Sequence, residues 1–179
     1  GRQLKKSVLE LGGSDPFIVL ADADVDRAAA AATTARPINS GQSCIAAKRF
    51  IVEEPVNDEF STAMARRMAA LVVGDPLSEN TEAGPLIRAG EVDRVHAWVE
   101  EAREAGATIA CGGKPREGNY YALTVIVDPP ADAKVSTQEI FGPVVCVYPV
   151  DNLDDAVEQA NALDVAFQAA VFTSDIDLA

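Results

Sequence analysis

Apolar positions along this chain recur at a period of two in some stretches and at helical spacing in others, and the two patterns alternate. Ser7-Val8-Leu9-Glu10-Leu11 reads as a short strand stopped by Gly12-Gly13, and Phe17-Ile18-Val19-Leu20 as a second, buried strand. Asp22 or Asp24 offers an N-cap to an alanine-rich helix over Val25 to Ala35. Arg36-Pro37 ends it, because a residue before proline is pushed out of the helical region. The polar turn Asn39-Ser40-Gly41-Gln42-Ser43 leads into Cys44-Ile45-Ala46-Ala47, read as the opening of a short helix, and Arg49 to Glu53 is strand-like. Asn57 to Leu71 carries Phe60, Met64, Met68 and Leu71 at helical spacing, and Gly74-Asp75-Pro76 breaks it.

The alternation continues to the end of the chain. Glu91 to Ala105 is an amphipathic helix with Gly106 placed as a C-cap. Thr108 to Cys111 is a short strand closed by Gly112-Gly113, and Tyr120 to Val127 is extended up to Pro129-Pro130. Val144 to Val150 is a β-branched strand, Leu153 to Leu163 a helix and Ala166 to Thr173 a final strand. Asp175-Ile176-Asp177 begins a further segment. No repeat, low-complexity linker or domain boundary interrupts the series. The pattern predicts an α/β fold, an open and largely parallel sheet with flanking helices, as a single domain over residues 1–179.

Charge and cysteine usage narrow the function. A formal charge of -13 and a pI near 4.4 give a surface that repels phosphate backbones, which argues against a nucleic-acid partner. No apolar stretch approaches the roughly eighteen residues of a membrane span, and the N-terminal GRQLKKSVLELGG lacks the apolar core of a signal peptide. The expectation is therefore a cytoplasmic protein with no membrane partner. Cys44, Cys111 and Cys146 are odd in number and widely spaced, with no CxxC pattern. They read as reduced thiols rather than a disulfide framework or a metal centre.

Two residues invite a chemical reading. Cys44 follows a Gly-Gln-Ser turn, and at a helix start the unpaired N–H groups and the dipole favour a thiolate and can stabilise an oxyanion. A buried, inert cysteine fits the same position. Glu10 is the only acid in an apolar strand before a double glycine, and is either a satisfied structural acceptor or a general base. His96, the sole histidine, would have to partner Cys44 in a cysteine hydrolase, but its helical position fits an ordinary surface residue. Cys111 and Cys146 read as core thiols, Phe60, Met64 and Trp98 as core or covered surface, and Glu100, Glu101 and Glu104 as a solvated helix face.

Taken in order, Glu10-Leu11-Gly12-Gly13, Asn39-Ser40-Gly41-Gln42-Ser43-Cys44 and Glu139-Ile140-Phe141-Gly142-Pro143-Val144 resemble three signatures of the aldehyde dehydrogenase superfamily. Gly74-Asp75-Pro76, Gly84-Pro85-Leu86-Ile87 and Phe172-Thr173 are weaker echoes, so the resemblance covers essentially the whole chain. It implies that Cys44 attacks an aldehyde to give a thiohemiacetal, and that NAD or NADP takes the hydride. Water activated by Glu10 then hydrolyses the thioester. It further implies that Glu139 binds the nicotinamide ribose hydroxyls, that Phe141 packs near the nicotinamide, and that the intact enzyme is a homo-oligomer. Members that release acyl-CoA lack a glutamate at the position of Glu10, so a free carboxylate is the implied product. GQSCIAAKR, residues 41 to 49, is similar to the semialdehyde branch and makes succinate semialdehyde the first substrate expected. Phe167 to Phe172 resembles members acting on lactaldehyde or on phosphono- and sulfo-acetaldehydes.

The sequence departs from the family twice. It contains no glycine-rich dinucleotide loop. The family carries that element mostly upstream of the Glu-Leu-Gly-Gly motif, with a lysine and the asparagine that completes the oxyanion hole. The expectation is a catalytic portion of a longer enzyme, inactive alone, with residues 1–13 entering from the cofactor-binding domain. The second departure is Arg36-Pro37-Ile38, where members commonly have an aromatic or small residue before the asparagine. Two readings outside the family remain at this point, a cofactor-independent cysteine hydrolase using His96 and a non-catalytic domain with Cys44 buried.

Overall fold

Strand β1 (Pro16–Val19) is buried along its whole length, as a parallel strand covered on both faces must be. It pairs in parallel with β2 (Arg49–Glu53), Pro16 opposite Arg49 through Val19 opposite Val52. The crossover between them includes α1 (Val25–Ala35), whose N-cap is Asp24: the Asp24 carboxylate accepts from the Arg27 N–H at 3.0 Å. Ala28, Ala29 and Ala32 have no exposed surface, so the helix lies close against α2 (Glu54–Ala70), where Phe60, Met64 and Met68 are fully buried at the predicted spacing. Helix α2 starts three residues earlier than expected, because Pro55 sits in its first turn, where a missing N–H costs nothing.

A computed structural model describes residues 2–8, 12–165 and 168–178. It adds α3 (Ala89–Glu104), β3 (Thr108–Cys111), β4 (Thr124–Val127), a one-turn α4 (Lys134–Thr137), β5 (Val144–Val150), α5 (Leu153–Ala160) and β6 (Ala170–Phe172). The six strands form one sheet in the order β3-β4-β5-β2-β1-β6, parallel throughout except for the antiparallel β3-β4 edge. Side chains alternate across it. Phe17, Val19, Phe50 and Val52 join α1 and α2 on one face, while Ile18 and Ile51 meet α5 on the other. Val144, Cys146 and Tyr148 pack with Val92, Val95 and Val99 of α3. No described helix is long and apolar enough to cross a membrane.

Several expectations need correction. Ser7 and Val8 are exposed and lie in no strand; residues 9–11 of that reading fall outside the described residues, as do residues 166 and 167 of the last strand. The extended stretch before Val127 joins the sheet only from Thr124, since Tyr121 is engaged in a bridge with Pro115. Helix α5 stops at Ala160 rather than Leu163. Its last carbonyls are taken by Arg49, whose buried guanidinium donates to Gln159 O at 2.9 Å, Ala160 O at 3.0 Å and Ser14 O at 3.0 Å. That one side chain ties the helix end to the entrance of β1.

Candidate active site

Residues 38–44 do not form the helix expected at Cys44. Ile38–Gly41 is a single 3-10 turn introduced by Pro37, and Asn39, Ser40 and Gly41 all have positive φ, at 49°, 57° and 75°. Cys44 then sits in a tight turn closed by Ala46 N–H donating to Ser43 O at 3.1 Å. The chain must enter β2 at Arg49, which leaves no room for a helix, and the helix-dipole argument for a thiolate falls with it.

Left-handed backbone at two non-glycine residues is held by side-chain bonds. Asn39 Nδ2 donates to Gln42 O at 3.0 Å, and Ser40 Oγ donates to Gly84 O at 3.0 Å. The Gln42 amide locks the 84–87 loop, donating to Pro85 O at 3.2 Å and accepting from Ile87 N–H at 2.9 Å. Gly41 is required twice over: its φ is positive, and a Cβ there would lie 2.1 Å from Gly142 O. Gly41→Ala is therefore expected to destabilise the protein by about 3 kcal/mol or more, read as a lowered denaturant midpoint. An unchanged midpoint would mean that this turn is not packed as described.

Arg36 is the C-cap of α1. It has no exposed surface, and its guanidinium donates to Ala46 O at 3.2 Å, Ala47 O at 3.4 Å, Ile140 O at 2.8 Å and Gly142 O. It thus clamps the segment after Cys44 to the segment on both sides of Phe141. Burial pulls its pKa down to about 9, which leaves it charged at neutral pH, with Glu139 nearby offsetting part of the cost. Lys48 is also buried, at 2% exposure. Its ammonium donates to Cys44 O at 2.8 Å and Ser43 O at 3.5 Å, and forms an ion pair with Glu139 Oε1 at 3.3 Å. Burial and the Arg36 cation lower the Lys48 pKa, and Glu139 offsets them.

These contacts assemble a cleft of about 510 Å³ lined by Gly12, Gln42, Ser43, Cys44, Glu139 and Phe141. Three of the four expected site residues, Cys44, Glu139 and Phe141, therefore share one opening. The fourth, Glu10, lies outside the described residues; Gly12, two positions on, lines the cleft with φ +85°, and a Cβ on it would lie 2.8 Å from Glu139 Oε2. The lining segments all precede strands that are neighbours in the sheet, β1, β2 and β5, so the cleft opens at their amino-terminal edge. A cavity of similar size beside Val73, Asp75, Arg116 and Tyr120 is lined by no cysteine.

The remaining candidates separate from the cleft. His96 Nδ1 is 3.2 Å from the Tyr121 hydroxyl and 3.7 Å from Glu100, on α3, and does not line the Cys44 opening. This removes the geometry that a hydrolase would need. Cys146 is buried, with its thiol pushed up to about 12, and burial raises Cys111 as well; neither is set up as a nucleophile. Cys44, only half-buried, does not have the sealed environment of an inert core thiol. Among the described residues no cluster of three or more His, Cys, Asp or Glu could hold a metal ion. From the sequence Arg36 reads only as a helix stop and Lys48 as an ordinary residue of the GQSCIAAKR segment, since charged residues read by default as surface.

A family model described as "Aldehyde dehydrogenase family" matches residues 1–179. A protein named aldehyde dehydrogenase from Paenarthrobacter nicotinovorans is 48% identical over 177 residues, 98% of this chain and 39% of that protein. One named succinate-semialdehyde dehydrogenase (NADP+) 1 from Mycobacterium tuberculosis is 49% identical, with the same coverage of both. The crystal structure of lactaldehyde dehydrogenase from Escherichia coli superposes with a TM-score of 0.89 at 37% identity, over 94% of this chain and 36% of the other. The chain thus spans about two fifths of the length of the curated relatives it matches.

Proposed function

Because the chain belongs to the aldehyde dehydrogenase family, we propose that in the full-length protein its cleft oxidises an aldehyde to a carboxylate with NAD or NADP. The observation that carries this reading is the convergence of Cys44, Glu139 and Phe141 on one opening from segments that are far apart in sequence. The Cys44 thiolate attacks the aldehyde carbon to form a thiohemiacetal. Loss of hydride from that carbon, with the hydroxyl proton released, leaves a thioester on Cys44. Attack by water on the thioester carbonyl then frees the carboxylate and regenerates the thiol. Glu10 is the residue assigned to take the proton from that water.

The cleft suits the ribose and nicotinamide end of a dinucleotide. Glu139 Oε1 is buried and, among the described residues, is held by its ion pair with Lys48 at 3.3 Å, with the Arg36 cation nearby, while Oε2 lies close against Gly12, where a Cβ would crowd it. A carboxylate so placed is an acceptor for vicinal hydroxyls. Phe141 is 38% exposed and offers a flat apolar face beside it. When bound, the oxidised nicotinamide supplies the hydride acceptor. Glu139 and Phe141, which line the cleft beside Cys44, would hold it there.

For the substrate we favour a semialdehyde of the succinate type. The support is the GQSCIAAKR segment together with the 49% identity to proteins named for that activity, whose names also favour NADP. The hydrolytic half-reaction has a direct test in the full-length protein. Glu10→Gln is expected to slow turnover by about a hundredfold or more, on the usual scale for loss of a general base, and to accumulate a thioester on Cys44. Intact-mass spectrometry after mixing with aldehyde and cofactor reads the adduct. Normal turnover with no trapped species would remove Glu10 from the mechanism.

A further inference from the structure

The buried ammonium of Lys48 touches both halves of the proposed reaction. It carries three protons and faces three acceptors: the carbonyls of Cys44 and Ser43, at 2.8 and 3.5 Å, and the carboxylate of Glu139, at 3.3 Å. With 2% of its surface exposed, it is not a solvent-facing lysine whose ion pair is screened away. Glu139 Oε1 has no hydrogen-bond partner among the described residues, so this charge is what restrains the carboxylate from the protein side. Arg36 also faces this region, but its guanidinium is spent on four backbone carbonyls, which fixes the two loops without aiming the carboxylate.

We propose that Lys48 is a positioning residue that holds Glu139 in the orientation needed to take the cofactor ribose, and so couples cofactor binding to the turn that carries Cys44. The inference rests on the reading that Glu139 binds the cofactor. In the absence of the ammonium, the carboxylate is free to turn within the cleft that it lines, and the Cys44 carbonyl loses its buried donor. A cation at this position serves Glu139 by charge rather than by contact with substrate, so its removal acts on cofactor affinity first.

A double-mutant cycle in the full-length protein tests this, using Lys48→Met, Glu139→Gln and the pair, with steady-state kinetics in NADP and in aldehyde. Glu139→Gln alone is expected to raise the KM for NADP by about tenfold or more. Lys48→Met is expected to raise it by a similar factor, with the KM for aldehyde changed by less than about twofold. In the Glu139→Gln background, Lys48→Met should add less than about twofold. If Lys48→Met multiplies the NADP KM equally in both backgrounds, or leaves it unchanged, the coupling is wrong although Glu139 keeps its role. If Glu139→Gln alone leaves the NADP KM unchanged, the cofactor reading of Glu139 fails, and the coupling with it. Thermal melting establishes that each variant is folded. Where Lys48→Met does not fold, Lys48→Gln carries the same cycle, since it retains a donor for the Cys44 carbonyl and removes the charge on which Glu139 depends.

Discussion

Cys44→Ala is expected to lower aldehyde oxidation by the full-length protein by at least about a thousandfold while leaving the fold intact. The size follows from the proposed mechanism, in which neither the thiohemiacetal nor the thioester can form without the Cys44 thiolate. Cys111 and Cys146 cannot stand in, because burial raises both thiols and neither lines the cleft. The fold should survive because the contacts that hold the turn are made by other atoms. Ala46 N–H closes it on Ser43 O, Lys48 donates to the Cys44 backbone carbonyl, and Gln42 locks the neighbouring loop. Rate measurement beside a thermal melt separates the two effects. If Cys44→Ala keeps a tenth of the wild-type rate, a barrier change of only about 1.4 kcal/mol, the nucleophile is elsewhere.

The sheet was legible because its strands announce themselves locally. Arg49–Glu53, Thr108–Cys111 and Val144–Val150 coincide with the expected limits, and so does helix Val25–Ala35, whose Asp24 cap and Arg36-Pro37 stop are local signals. The motif residues of the cleft were legible for a different reason. Cys44, Glu139 and Phe141 came from resemblance, and only the tertiary structure brings them to one opening. The local conformation at Cys44 was misread, because apolar Ile45-Ala46-Ala47 suits a helix by propensity. Three consecutive left-handed residues and the approach to β2 decide otherwise.

What sequence reading could not reach is the set of buried cations. Arg36, Lys48 and Arg49 would each be expected at the surface, since burying an unpaired charge costs several kcal/mol. Their compensation comes from groups distant in the chain. Arg36 uses the carbonyls of Ile140 and Gly142, Lys48 the carboxylate of Glu139, and Arg49 the carbonyls at the end of α5. None of these pairings leaves a local pattern. The same three side chains knit the segments before β1, β2 and β5 together, which is why the cleft forms at that edge of the sheet.

That placement sets the last expectation, that the 179-residue chain by itself should fold yet bind NAD or NADP at least about a thousandfold more weakly than the full-length protein. Open parallel sheets usually bind dinucleotides beyond the carboxyl ends of their strands, with the pyrophosphate on a helix N-terminus after a glycine-rich loop. Here the cleft lies at the amino-terminal edge, and the sequence contains no such loop. On the proposed reading Glu139 and Phe141 hold only the ribose and nicotinamide end, whereas most dinucleotide affinity comes from the pyrophosphate and adenosine. Loss of about 4 kcal/mol of such contacts corresponds to the thousandfold. Separate hydrophobic clusters cover both faces of the sheet, which supports folding, but Leu4, Val8, Leu77, Ile87 and Ile176 are largely exposed. Apolar surface of this kind favours self-association, so the measurement belongs at low protein concentration. Calorimetric titration with each cofactor decides the matter: micromolar binding of either one to the 179-residue chain would show that the dinucleotide is held by residues other than those assigned.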